Sequence, residues 1–114
     1  MAFTDLTFLK ESTGDNNEVV REMIELFIAQ VPEFIANLKK HLRDRNFIEL
    51  GKEAHKAKSS VMIVGMEELA IDLKHLQLAT IDGTEIEHYP EYVHRFEVQM
   101  LAAVQELKEI LKTL

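Results

Sequence analysis

The stretch FIELGKEAHKAKSSVMIVG, residues 47–65, sets the architecture. Its apolar residues Phe47, Leu50, Ala54, Ala57, Val61 and Val64 step by threes and fours. A helix turns by about 100° per residue. With His55 set at zero, those six positions fall between roughly 180° and 280°. That arc is one stripe of an amphipathic helix, and Gly65 is placed to end it. His55 lies outside the stripe and is expected to face solvent.

The same spacing continues on both sides. Val20, Met23, Phe27, Val31, Phe34, Leu38 and Leu42 form a stripe after Asp15, Asn16 and Asn17, which are good N-cap types. Pro32 falls inside that run, so a kink or two abutting helices are expected there. Leu69, Leu73 and Leu76 predict a helix from Glu67 to about Ala79, with Glu67 and Glu68 suited to its first turn. Val93, Phe96, Met100, Val104, Leu107, Leu111 and Leu114 predict the last helix, with Pro90 in its first turn. A short helix around Asp5 to Glu11 precedes them. Breaks fall at Ser12–Asn17, Arg43–Asn46, Gly65 and Asp82–Thr84. No segment alternates with period two. The expected fold is therefore all-α: an antiparallel up-down four-helix bundle with a short extra N-terminal helix, in one domain spanning 1–114.

Composition narrows the function. Of 114 residues, 46% are hydrophobic and 29% charged, which suits a folded globular chain. Cysteine is absent, which excludes disulfides, thiolate catalysis and cysteine metal sites. The net charge of −7 argues against a nucleic-acid partner and against docking on anionic lipid. The opening MAFTDLTFLKES has no basic start and no apolar run, and no window approaches a membrane span. A cytoplasmic location is the expectation.

The face around His55 is unusual for a wet surface. Its expected neighbours are Ile48, Gly51, Lys52, Lys58, Ser59 and Met62. Gly51 and Ser59, one turn away on either side, have little bulk. Ile48 and Met62 are apolar residues where polar ones would be ordinary. A protruding imidazole with low ground and an apolar rim suits close approach by another protein. Lys52, Lys56 and Lys58 lie within one turn of His55, opposed locally by Glu53, and together suit an anion. Lys58, at i+3, is on the same side of the helix and within reach of a phosphoryl oxygen on the ring. Near neutral pH an ordinary imidazole is largely a neutral nucleophile. One ring nitrogen can attack phosphorus while a hydrogen bond holds the other. Helix geometry alone favours an ordinary surface histidine among surface lysines, since exposed His and Lys are common.

The run Ala54-His55-Lys56-Ala57-Lys58-Ser59-Ser60 through Gly65 resembles the signature of histidine-phosphotransfer domains of bacterial multistep phosphorelays. That pattern has a His, a Lys three residues later, a Gly-Ser pair, and a Gly closing the helix ten residues after the His. The resemblance extends to the lead-in Asp5-Leu6-Thr7-Phe8-Leu9, the helix carrying Pro32, and the Glu67–Gln77 helix, where Gln77 stands at the family's polar position near the imidazole. One departure is Ser59, where the family usually has Gly; its hydroxyl is able to bond a phosphoryl group.

The resemblance implies a phosphorelay intermediate. His55 takes a phosphoryl group from a receiver-domain aspartate and passes it to another receiver. Lys58, Ser59 and Gln77 stabilise the phosphoryl group or the imidazole, and Ile48, Gly51, Lys52, Lys56 and Met62 form the docking face. Partners would be response-regulator receiver domains or a hybrid sensor histidine kinase. The chain would need no cofactor of its own, Mg²⁺ being held by the receiver, and would act as a monomer without autonomous enzymatic activity.

Two other readings compete. A helical adaptor would use the same face without phosphate chemistry. Glu85-x-x-His88 and Glu91-x-x-His94 match a bundle di-metal element, but they flank Pro90 on adjacent chain and cannot face each other from opposed helices. They are read as surface charge, and His41 and His75 as surface residues.

Overall fold

The computed structural model describes residues 2–114. Among them five α-helices follow one another: α1 (Thr7–Ser12), α2 (Asn17–Arg43), α3 (Phe47–Ile63), α4 (Glu67–Asp82) and α5 (Tyr89–Leu111), with a 3₁₀ turn at Ile86–His88 before the last. No strand occurs among the described residues.

Local chemistry explains the helix ends. Asn16 Oδ1 accepts the amides of Glu18 and Val19 at 3.1 and 3.2 Å and so starts α2. Asn46 does the same for α3 through Glu49 N at 3.4 Å. Asp5 Oδ1 accepts Thr7 N at 3.0 Å at the start of α1. Pro90 occupies the first turn of α5, where a missing N–H costs nothing. Pro32 does not split α2, which runs continuously for 27 residues; the two-helix alternative is not what forms. The ring lies on the exposed side of that helix, away from the packed stripe.

Cross-helix bonds fix the directions. Gln30 pairs with Ser60 and Asn37 with Glu53, so α2 and α3 run antiparallel. His55 meets Gln77 while Gly51 meets Thr80, so α3 and α4 run antiparallel; Arg21 reaches Leu111 O and Leu114 O while Lys39 pairs with Glu97, so α2 and α5 do too. The bundle is up-down around one core. A 27-residue helix should span about 40 Å at 1.5 Å per residue, which accounts for the 43 Å long axis.

The core follows the expected stripes with one shift in α2. Ile24 is fully buried there and Met23 only partly, so the stripe runs Val20, Ile24, Phe27, Val31, Phe34, Leu38. Both registers satisfy helical spacing; the neighbouring helices select between them. Phe47, Leu42, Leu111 and Leu114 sit at helix ends and are half-buried against the core. Tyr89 is completely buried. Its ring meets Phe47 edge-on at 5.1 Å, and its hydroxyl donates to Thr84 O at 2.7 Å. Burial, together with Glu85, Glu87 and Asp82, pushes its phenol pKa up.

The N-terminal segment is strapped onto the bundle. Phe3 N and Thr4 N donate to the Glu106 carboxylate on α5 at 2.9 and 2.7 Å, and Thr4 Oγ1 donates to it as well. Asp5 N donates to Val64 O at 2.9 Å. Gly65 adopts φ +76°, and a Cβ there would lie 2.2 Å from Asp5 O. Both the left-handed turn and the close strap demand glycine at this point. The strap sets α1 beside the C-terminal end of α3.

Candidate functional site

The site is built on α3 and completed by α4. Ala54, Ala57 and Val61 bury one face of α3, which turns His55 outward, and its side chain is exposed. Opposite it, α4 presents Gln77. His55 Nδ1 lies 3.2 Å from Gln77 Oε1. A carbonyl oxygen only accepts, so Nδ1 carries the proton in this bond, and the lone pair of the neutral ring is on Nε2. The bond fixes both tautomer and ring orientation. The main chain of Gln77 is held in turn, since Thr80 Oγ1 donates to Gln77 O at 2.6 Å.

A groove runs along the N-terminal side of the imidazole. Ile48, Gly51, Lys52, His55, Gln77, Thr80 and Ile81 line it. Ile48 and Ile81 are each 70% exposed, a pair of large apolar side chains flanking one imidazole. On the other side Met62 is 54% exposed and lies with Ser59 in a second groove that also takes in Phe8 from α1.

The remaining expected residues divide as follows. Lys52 is exposed and pairs with Glu49 Oε1 at 3.3 Å. Lys56 is exposed and Lys58 half-buried, and among the described residues neither enters an ion pair. Glu53 is turned to α2, where it accepts from Asn37 Nδ2 at 3.2 Å. Glu49 thus replaces Glu53 as the local counter-charge, and Lys56 and Lys58 are left without an ion-pair partner among the described residues. Ser59 is exposed, while Ser60 donates to Gln30 Oε1 at 3.3 Å and belongs to the helix packing.

Gly51 differs from the expectation. It reaches the groove but is buried, not open ground. A Cβ on it would lie 2.1 Å from Thr80 Oγ1. Its small size serves the close approach of α4, the helix that carries Gln77.

Sequence reasoning missed Thr80, Ile81 and Phe8. Ile81 had a signal, since it stands one turn after Gln77 on the same helix face and is apolar beside Asp82. Thr80 and Phe8 had none, because their places depend on contacts between helices far apart in sequence. His88, considered for a metal element, instead lies beside Glu87 and Glu91 at 3.8 and 3.5 Å, with all three side chains exposed.

The Hpt domain family model matches residues 22–113, most of the chain, including His55 and Gln77. The chain belongs to the Hpt domain family. Comparison with curated proteins and with solved structures returned no match. Hpt domains are phosphocarrier modules that work with receiver domains and kinases in phosphorelays. No helix among the described residues of this Hpt domain is long and apolar enough to cross a membrane.

Proposed function

We propose that this chain is a phosphorelay intermediate that carries a phosphoryl group on Nε2 of His55. The observation that carries the reading is the 3.2 Å bond from His55 Nδ1 to Gln77 Oε1 on an otherwise exposed ring. It leaves one nucleophilic nitrogen, held in one direction, on an open face.

The transfer balances simply. The Nε2 lone pair attacks phosphorus of a receiver's aspartyl phosphate, the N–P bond forms, and the P–O bond to the aspartate breaks. The aspartate leaves as a carboxylate. The ring gains positive charge while Nδ1 keeps its proton, and the Gln77 carbonyl stabilises that charge. In the next step a second receiver's carboxylate attacks phosphorus and neutral imidazole leaves. Lys58 and the Ser59 hydroxyl are the groups of this chain assigned to the phosphoryl oxygens. Mg²⁺ on the receiver supplies further charge stabilisation. Ile48, Ile81 and Met62, with Lys52 and Lys56 at the rim and Gly51 beneath, form the docking face for a monomeric carrier.

A phosphotransfer profile against receiver domains of the same genome tests the reading. Rapid movement of label to a small subset is expected. Receiver binding with no transfer in either direction would overturn it in favour of an adaptor.

A further inference from the structure

The two grooves beside His55 differ in charge. The one at Ile48 and Ile81 is lined by no carboxylate, and its one cation, Lys52, is paired with Glu49 at 3.3 Å. The one at Phe8, Met62 and Ile63 holds Asp5, Glu11 and Glu67 and no cation. Its apolar floor is open, with Phe8 60% and Met62 54% exposed. Asp5 is committed to Thr7, whose hydrogen bonds hold its carboxyl below the usual carboxylate range. Glu11 and Glu67 form neither ion pair nor side-chain hydrogen bond among the described residues. Both are exposed.

We infer that this acidic groove is the specificity element of the docking face, and that it seats a receiver segment bearing an apolar side chain flanked by lysine or arginine. The inference rests on the proposed carrier role and adds to it the chemistry of the partner. An apolar side chain is needed to cover Phe8 and Met62. Cations are needed because an uncharged partner would strip water from Glu11 and Glu67 without replacing it. The groove is continuous with the reacting face: Ser59 stands one turn from His55, and Met62 nearly two turns. The phosphoryl group itself is repelled from this side and drawn toward the lysines. The partner is thus oriented as well as selected, with its basic flank over α1 and its phosphoryl-bearing aspartate over His55.

The test uses the receiver that accepts label fastest in the transfer profile, and compares the wild type with Glu11→Lys/Glu67→Lys and the milder Glu11→Gln/Glu67→Gln. KM for that receiver is expected to rise about tenfold in the lysine pair and less in the glutamine pair. Turnover at saturation should stay within about twofold, and the salt dependence of KM should flatten in the glutamine pair and flatten further or reverse in the lysine pair. Loading of His55 by the small donor phosphoramidate should be unchanged in both variants. Unchanged KM and salt dependence, with normal loading, would overturn the acidic groove and leave the carrier role standing. Failure of the wild type to load His55 from either donor would instead remove the carrier role and the inference with it.

Discussion

His55 Nδ1 and Gln77 Oε1 meet at 3.2 Å across α3 and α4, and this bond decides which imidazole nitrogen is left free. A single hydrogen bond contributes about 0.5–1.5 kcal/mol, and bonds to a charged group somewhat more. Gln77→Leu removes the acceptor without emptying a core position, because the side chain is only half-buried. Loading of His55 by phosphoramidate is expected to slow about three- to tenfold in Gln77→Leu, with thermal stability close to wild type. An unchanged rate would show that Gln77 does not orient or stabilise the ring.

Gly51 and Thr80 form the contact that lets α4 come this close. In Gly51→Ala, the new Cβ meets Thr80 Oγ1 at 2.1 Å, and Thr80 is β-branched, buried and bonded to Gln77 O. Overpacking of this kind costs about 1–3 kcal/mol. The helix-propensity gain of alanine over glycine, about 0.5–1 kcal/mol, is smaller. Gly51→Ala alone should therefore lower the midpoint of urea unfolding. Adding Thr80→Ala removes the nearest atom and should recover most of the loss. Equal midpoints for the single and double variants would refute steric conflict at this contact.

Much of this was legible from periodicity alone. The His55 helix, its exposed face and its closing Gly65 follow from residues within one or two turns of one another. Gln77 opposite His55 was placed by resemblance to the family signature. Met23 against Ile24 was not decidable, since both continue the α2 stripe and only the packing of neighbouring helices chooses. Gly51 was read as open ground because Thr80, 29 positions later in the chain, was invisible as its partner. Phe8 and the acidic groove were hidden for the same reason. They exist because Asp5 N bonds Val64 O and Gly65 leaves room for the strap, a contact spanning some sixty residues.

Glu106 ties that strap down in a pH-dependent way. Burial alone would raise its carboxyl pKa, but the bonds from Thr4 and Phe3 outweigh this and hold it below the ordinary carboxylate range. A depressed folded pKa contributes stability above the unfolded value, and that contribution is lost as pH falls through the folded one. The strap should therefore be firm at neutral pH and loosen in acid, beginning below about pH 4.3. Amide NMR shifts of Phe3 and Thr4 should follow that titration in the wild type and be nearly flat in Glu106→Gln. A titration unaltered in Glu106→Gln would assign the effect to another group.

The most direct test of the carrier role locates the phosphoryl group itself. After incubation with a phosphorylated receiver, the wild-type chain should hold one acid-labile, base-stable phosphoryl group, mapping to His55. His55→Gln should fold normally, because the side chain is exposed, and should take up none. Label retained by His55→Gln, or label on any other residue of the wild type, would contradict the account.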